Sequence, residues 1–82
     1  MNKNDAGMIL KIMDYLAEIE KEYDAENIMN VTNGLEERLK ARFPKVVVAK
    51  TYNEYGSLTT DVIVKLADKS TTKFSYIWGF LV

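Results

Sequence analysis

The sequence lacks cysteine and histidine altogether. Without cysteine, no disulfide and no thiolate metal site can support a domain of this size, so its folding must rest on packing alone. Without histidine, the chain lacks the commonest general base at neutral pH and the commonest zinc ligand. The chain also shows no Gly-rich phosphate loop, no nucleophile with an adjacent base and no metal-ligand spacing. We therefore expect a protein that is not an enzyme and that needs no cofactor, metal or small-molecule substrate.

Long apolar runs are missing as well. No stretch approaches the ~18 apolar residues of a membrane-spanning helix. The first residues, Met1 to Asp5, lack the basic start and apolar run of a secretion signal. We expect a cytoplasmic protein with no membrane contact. A chain of 82 residues that is 48% hydrophobic is typical of one folded domain over residues 1–82.

Charge is distributed unevenly along the chain. Residues 1–27 carry three basic and seven acidic side chains, whereas residues 28–82 carry eight basic and five acidic ones. The formal net charge is −1 and the isoelectric point is near 5.4. The whole chain therefore has no overall attraction for nucleic acid.

The first part of the chain has helical periodicity. Apolar residues follow the i, i+3, i+4 spacing of one stripe at Ile9, Ile12, Met13, Leu16, Ile19 and Tyr23. We predict a helix from Asp5 to about Tyr23. Asn4 or Asp5 is the expected N-cap, because a short polar side chain can accept an unpaired N–H of the first turn.

A second helical pattern runs from Asp24 to Phe43. Weak helix formers interrupt its middle, so the pattern leaves open whether residues 24–34 are continuous helix. The best-defined part is Leu35 to Arg42. Pro44 ends this helix, because the proline ring excludes the preceding residue from helical backbone angles.

After Pro44 the apolar period changes to two, which indicates strands. Three strands are predicted, over residues 45–52, 58–66 and 71–82, and turn residues separate them. Short loops between consecutive strands favour an antiparallel meander. We predict an α+β fold of two layers, in which two N-terminal helices pack on one face of a three-stranded antiparallel sheet (ααβββ).

Side-chain alternation assigns the two faces of this sheet. The face toward the helices is expected to carry Val46, Val48, Leu58, Val62, Val64, Leu66, Phe74, Tyr76, Trp78 and Phe80. The opposite face is expected to mix apolar with polar residues, although the wet face of an antiparallel sheet is normally polar throughout. An apolar patch rimmed by charge is typical of an interaction surface.

We therefore expect a partner-binding surface on that second face, used for homodimerisation or for capture of a partner protein. Its predicted residues are Val47, Ile63, Ile77, Leu81, Lys65 and Lys73. The alternative is that β-branched residues lie there because they favour strands, with lysines dividing the patch.

Two charged clusters raise a nucleic-acid-directed function as an alternative. A spacing of four places Asp14, Glu18, Glu22 and Glu26 on one acidic ridge, which could imitate a row of phosphates, although a solvated helix face has the same pattern. A basic cluster that could contact phosphate comprises Arg38, Lys40, Arg42, Lys45 and Lys50, with Tyr52 and Tyr55 nearby for stacking. Cations near a helix C-terminus are expected in any case, so nucleic acid is the less favoured partner.

In general character, this compact acidic chain without cysteine or histidine resembles the small proteins that viruses and mobile elements make to bind and disable a host target. The similarity is one of type and carries over no site residues. It implies a non-enzymatic interaction module that inhibits or regulates a partner protein.

Overall fold

The computed structural model describes residues 2–22 and 33–78, which form an α+β fold. In chain order the described elements are helices α1 (Lys3–Lys21) and α2 (Leu35–Arg42) and strands β1 (Val46–Glu54), β2 (Ser57–Lys65) and β3 (Thr71–Trp78). The strands form one antiparallel sheet in the order β1-β2-β3, and both helices contact it. The predicted combination of two helices with a three-stranded antiparallel sheet is confirmed.

Helix α1 begins two residues before the predicted start. Asn2 is the N-cap, and its Oδ1 accepts the Asp5 backbone N–H at 2.8 Å. Asp5, predicted as a possible cap, lies in the first turn, where its two carboxylate oxygens accept the Ala67 backbone N–H at 3.2 and 3.3 Å. A carboxylate is favourable at this end of a helix, and here it also ties α1 to the loop between β2 and β3.

The apolar stripe of α1 is buried at Ile12, Leu16 and Ile19. Met13, at the flank of the same stripe, is instead 37% exposed. The periodicity therefore predicted the centre of the buried stripe correctly but made it too wide.

Helix α2 occupies the best-defined part of the second predicted helix, and residues 24–32 of that pattern lie outside the described residues. Residues beside α2 explain both of its ends. Gly34 precedes it with a φ of +70°, a conformation that glycine adopts without the penalty of a Cβ atom. Phe43 follows it with φ −128° and ψ 89°, away from helical angles, as expected before Pro44.

Two tight connections determine the strand register. Tyr55 and Gly56 form the turn between β1 and β2 with φ values of 52° and 80°, which are typical of a type I′ hairpin. Between β2 and β3, the Leu66 N–H donates to the Ser70 carbonyl oxygen at 2.8 Å. The Ser70 backbone N–H donates to Asp68 Oδ1 at 2.9 Å, and the hydrogen bonds from Ser70 lower the pKa of the Asp68 carboxyl.

A β-bulge interrupts β1 near its start. Ala49 pairs with Val62 in the register counted from the Tyr55–Gly56 turn, but Val46 pairs with Val64, one residue out of that register. Val47 is the extra residue, and the alternation of faces changes across it.

The bulge overturns part of the predicted face assignment. Val48 was expected on the face toward the helices, but it pairs with Ile63 on the opposite face and is 37% exposed. The same alternation would place Ala49 and Thr51 on the opposite face, but they pair with Val62 and Thr60 and lie toward the core. The prediction was wrong here because it carried one alternation through a strand that contains an extra residue.

Side chains from both helices and from the sheet form one hydrophobic core. Its buried members are Ile12, Leu16, Ile19, Leu35, Leu39, Val46, Leu58, Val62, Val64 and Trp78. The predicted aromatic row is present at Phe74, Tyr76 and Trp78, and Phe80 lies outside the described residues.

Hydrogen bonds connect the polar groups inside this core. Thr60 is fully buried, and its Oγ1 accepts the Trp78 Nε1–H at 2.8 Å. The same oxygen lies 2.7 Å from Thr51 Oγ1. Within residues 2–22 and 33–78, every buried side-chain nitrogen or oxygen has a hydrogen-bond partner, as is usual for polar groups inside folded proteins.

Candidate protein-binding surface

We call the sheet face that carries Ile63 the outer face and the face that carries Val62 the inner face. Strand register brings the outer-face residues into three cross-strand rows. The rows are Val48, Ile63 and Lys73; Lys50, Asp61 and Ser75; and Tyr52, Thr59 and Ile77.

The first and third rows expose apolar surface. Ile77 is 64% exposed and Val48 is 37% exposed, while Ile63 is half-buried. Thr59, between Tyr52 and Ile77, is only 8% exposed. The outer face therefore has apolar groups at both ends of a diagonal across the sheet, with polar groups between them.

The middle row is a hydrogen-bonded cluster centred on Asp61. Its Oδ1 accepts the Ser75 hydroxyl at 2.6 Å and the Tyr52 hydroxyl at 3.3 Å. Desolvation, followed by the negative charge and the hydrogen bond of Asp61, raises the pKa of the Tyr52 phenol. Both bonds use the same carboxylate oxygen, so Oδ2 has no hydrogen-bond partner within the described residues.

The structure places most of the predicted partner-binding residues on or beside this face. Ile63, Ile77 and Lys73 lie on it, and exposed Lys65 ends β2 at its margin. Val47 is the bulge residue and is 41% exposed. Leu81 lies outside the described residues.

Sequence reasoning missed Val48 and Tyr52 as members of the outer face. The signal was present in the Tyr55–Gly56 pair, because a two-residue turn at these positions pairs Tyr52 with Thr59 and so determines which β1 residues face outward. The unbroken run Val46 to Ala49 could not show it, because apolar residues at every position give no alternation.

The predicted acidic ridge lies on α1, away from the outer face. Asp14 and Glu18 are both exposed and, with Lys11, line a shallow groove of about 210 Å³. The other wall of this groove includes Arg42, whose guanidinium lies 4.7 Å from the centre of the Tyr15 ring.

Arg42 therefore lines the same groove as two of the ridge carboxylates. Glu22 is the exposed C-cap of α1, and Glu26 lies outside the described residues.

The predicted basic cluster is divided between two elements. On α2, Arg42 stacks on Tyr15, and Lys40 pairs with Glu36 at 3.8 Å. Lys50 points from the outer face of β1, whereas α2 packs toward the core through Leu35 and Leu39. Tyr55 is 98% exposed at the hairpin tip. Within the described residues, the members of the basic cluster are therefore distributed over α2, β1 and the segment between them, with Lys50 on the outer face.

The two edges of the sheet differ. At the β1 edge, the Ala49 N–H donates to Glu36 Oε1 of α2 at 3.0 Å, and the bulge adds irregularity. Near the β3 edge, the Tyr76 hydroxyl donates to Glu20 Oε1 of α1 at 2.8 Å. This hydrogen bond joins side chains on the inner face and does not involve the outward backbone groups of β3. Of the two edges, only β1 has its outward backbone groups covered in part by a helix within the described residues.

An apolar groove runs between α1 and β3. It has a volume of about 380 Å³ and is lined by Ala6, Ile9, Leu10, Thr72, Lys73 and Phe74. Leu10 is 62% exposed and adjoins the half-buried Ile9 and Phe74 in this groove, so the exposed apolar surface is continuous. The groove is therefore a second exposed apolar surface, adjacent to the β3 edge.

Comparison of the chain with protein-family models, curated proteins and solved structures finds no match. Among the described residues, no helix is both long and apolar enough to span a membrane. In the same part of the chain, no three acidic side chains are grouped so that they could hold a metal ion.

Proposed function

We propose that the protein is a non-enzymatic protein-binding module that inhibits or regulates its partner through the outer face of the sheet. In this proposal, both helices form one layer against the inner face and leave the outer face uncovered. The observation that carries the proposal is the exposure of Ile77, at 64%, on the same face as Val48 and Ile63.

Binding of a partner to the outer face would remove apolar surface from water. Three branched aliphatic side chains are exposed or half-buried there, and apolar burial contributes about 25 cal/mol per Å² of surface removed from water. A stable contact needs about 1,000 Å² or more in total, so the polar middle row and the rim must also take part. Such a contact has an apolar centre and a polar rim, as in other protein interfaces.

The charges of the outer face indicate the chemistry of the partner. Lys50, Lys65 and Lys73 surround the apolar groups, whereas Asp61 is the acidic residue within the three rows and is already hydrogen-bonded. We therefore propose a partner protein with an apolar contact surface and an acidic margin, which the lysines attract and orient.

Affinity capture with matched variants tests this function. Ile77→Lys and Val48→Lys introduce a charge at opposite ends of the outer face and should abolish retention of a partner that the wild-type protein binds stoichiometrically. Tyr55→Lys, at the exposed hairpin tip, is the control and should retain it. Circular dichroism confirms the fold of each variant. Equal retention by all four proteins would show that the outer face takes no part in binding.

A further inference from the structure

The β3 edge presents a regular row of backbone groups away from the sheet. The Leu66 N–H donates to the Ser70 carbonyl oxygen, so Leu66 and Ser70 are a hydrogen-bonded pair at the start of the β2–β3 ladder. Along an antiparallel ladder, hydrogen-bonded pairs alternate with non-hydrogen-bonded pairs. In the same register, Thr72, Phe74, Tyr76 and Trp78 bond to β2. The outward groups are therefore those of Thr71, Lys73, Ser75 and Ile77, and within the described residues they have no backbone or side-chain hydrogen-bond partner.

We infer that β3 is a dimerisation edge, at which a second copy of this chain pairs its own β3 antiparallel across a two-fold axis and extends the sheet to six strands. This inference goes beyond the proposed function, because it concerns the edge of the sheet and names a second copy as the partner there. It uses the edge of β3 and, on the outer face, only Lys73 and Asp61, so the apolar residues Val48, Ile63 and Ile77 stay available.

Charge complementarity selects the register of this pairing. Backbone hydrogen bonds can join the outward groups of the two β3 strands in two-fold registers centred near Lys73, Phe74 or Ser75. Centring on Lys73 places two ammonium groups directly opposite each other, which is unfavourable. Centring on Ser75 places Lys73 of each copy opposite Ile77 of the other, in a row whose next member, Thr59, carries no charge. Centring on Phe74 places Lys73 of each copy opposite Ser75 of the other.

In the register centred on Phe74, Lys73 reaches the carboxylate next to Ser75. Asp61 is the cross-strand neighbour of Ser75, so its Cα would lie about 10 Å from that of Lys73 in the second copy. A lysine side chain spans most of that distance. Oδ2 of Asp61 has no hydrogen-bond partner in the described residues, and Lys73 has no ion pair there, so each copy supplies what the other lacks.

The inner face gives a second reason for a copy of the same chain. Phe74 would lie on the two-fold axis and meet its counterpart, and it lines the apolar groove together with Ile9 and Leu10. The grooves of the two copies would join there, which would bury the Leu10 side chains that a single copy leaves 62% exposed. The β1 edge does not offer the same pairing, because Glu36 and the bulge occupy it.

Sedimentation velocity on the full chain, from micromolar to millimolar concentration, tests the inference. We expect a monomer–dimer equilibrium. Lys73→Glu should weaken it about tenfold because each of two symmetric contacts becomes repulsive, and adding Asp61→Lys to the same chain should restore it. Lys45→Glu, before β1, makes the same charge change away from β3 and should have no effect. A monomer at every concentration, or a dimer insensitive to Lys73→Glu, would overturn the inference.

Amide hydrogen exchange on the wild-type chain gives a readout that needs no substitution. The N–H groups of Thr71, Lys73, Ser75 and Ile77 should exchange rapidly in dilute solution and slowly in the concentrated dimer. Equal exchange at both concentrations would overturn the inference.

The Val48→Lys variant separates the two proposals. Val48 lies on β1, far from the β3 edge, so this variant should still dimerise. A chain that stays monomeric but binds a partner through the outer face would overturn the dimer alone. A chain that dimerises through β3 but binds nothing through the outer face would overturn the proposed function alone.

Discussion

Removal of the Thr60 hydroxyl should destabilise the core while changing its volume very little. Thr60→Val keeps the branched shape of the side chain but removes the acceptor of the Trp78 Nε1–H. Trp78 is 1% exposed, so water cannot replace the lost partner. A buried donor left without a partner costs about 1–3 kcal/mol.

The structure allows the cost to be divided between the two hydrogen bonds of Thr60. Thr51 is half-buried, so its hydroxyl can turn toward water, and loss of that bond should cost only about 0.5–1.5 kcal/mol. We expect Thr60→Val to lose about 2–3 kcal/mol in total, and Thr51→Val to lose about 1 kcal/mol. A chain of this length has a free energy of unfolding of about 4–12 kcal/mol, so the first change removes a large part of it.

Urea unfolding measures both values, with Trp78 as the fluorescent probe because it is the only tryptophan. All variants must be compared at one protein concentration, since dimerisation would add to apparent stability. Thr60→Ser is the control that keeps the hydroxyl and so retains the bond to Trp78. If Thr60→Val unfolds within about 0.5 kcal/mol of the wild type, the hydrogen-bond chain does not stabilise the core in this way.

Two further predictions follow from polar contacts between α1 and the rest of the fold. Asp5→Ala should lower the free energy of unfolding by about 1.5–3 kcal/mol in urea titrations, because the Ala67 N–H loses a charged acceptor. Asp5→Asn keeps a neutral acceptor and should lose less stability. Equal stability of both variants and the wild type would show that the Asp5 carboxylate does not stabilise this contact. Burial and the hydrogen bond to Glu20 raise the pKa of Tyr76 from 10.0 to about 12. The folded state therefore keeps a proton that the unfolded state loses above pH 10, so stability should fall between about pH 10 and pH 12 and should not depend on this group below pH 10. Tyr76→Phe should make that fall shallower in urea titrations across this range, with a remainder from Tyr52, and an unchanged slope would refute the assignment.

The kinds of element could be predicted because they depend on local repeats. A stripe with helical spacing forms α1, and the change to a period of two after Pro44 marks the start of the sheet. The bounds of α2 were equally local, because a glycine in a left-handed conformation precedes it and a proline follows its last residues.

Composition restricts the chemistry of the chain independently of its fold. The absence of histidine and cysteine removes the commonest general base and every thiolate ligand, wherever the remaining side chains lie. The apolar character of Ile63 and Ile77 was also visible as a departure from a polar outer face.

Other features depended on pairs of residues far apart in the chain. Strand alternation shows which residues share a face only within an uninterrupted strand, so the bulge at Val47 changed the positions of Val48 and Ala49 in a way that β1 alone does not encode. Asp5 has a common helix-capping residue type, but its partner Ala67 is 62 residues away. The sequence by itself determined the elements and the composition of their faces, because these follow from backbone periodicity. Only the tertiary structure decided which strand edge stays open and which polar groups meet, because register and packing are properties of pairs of elements.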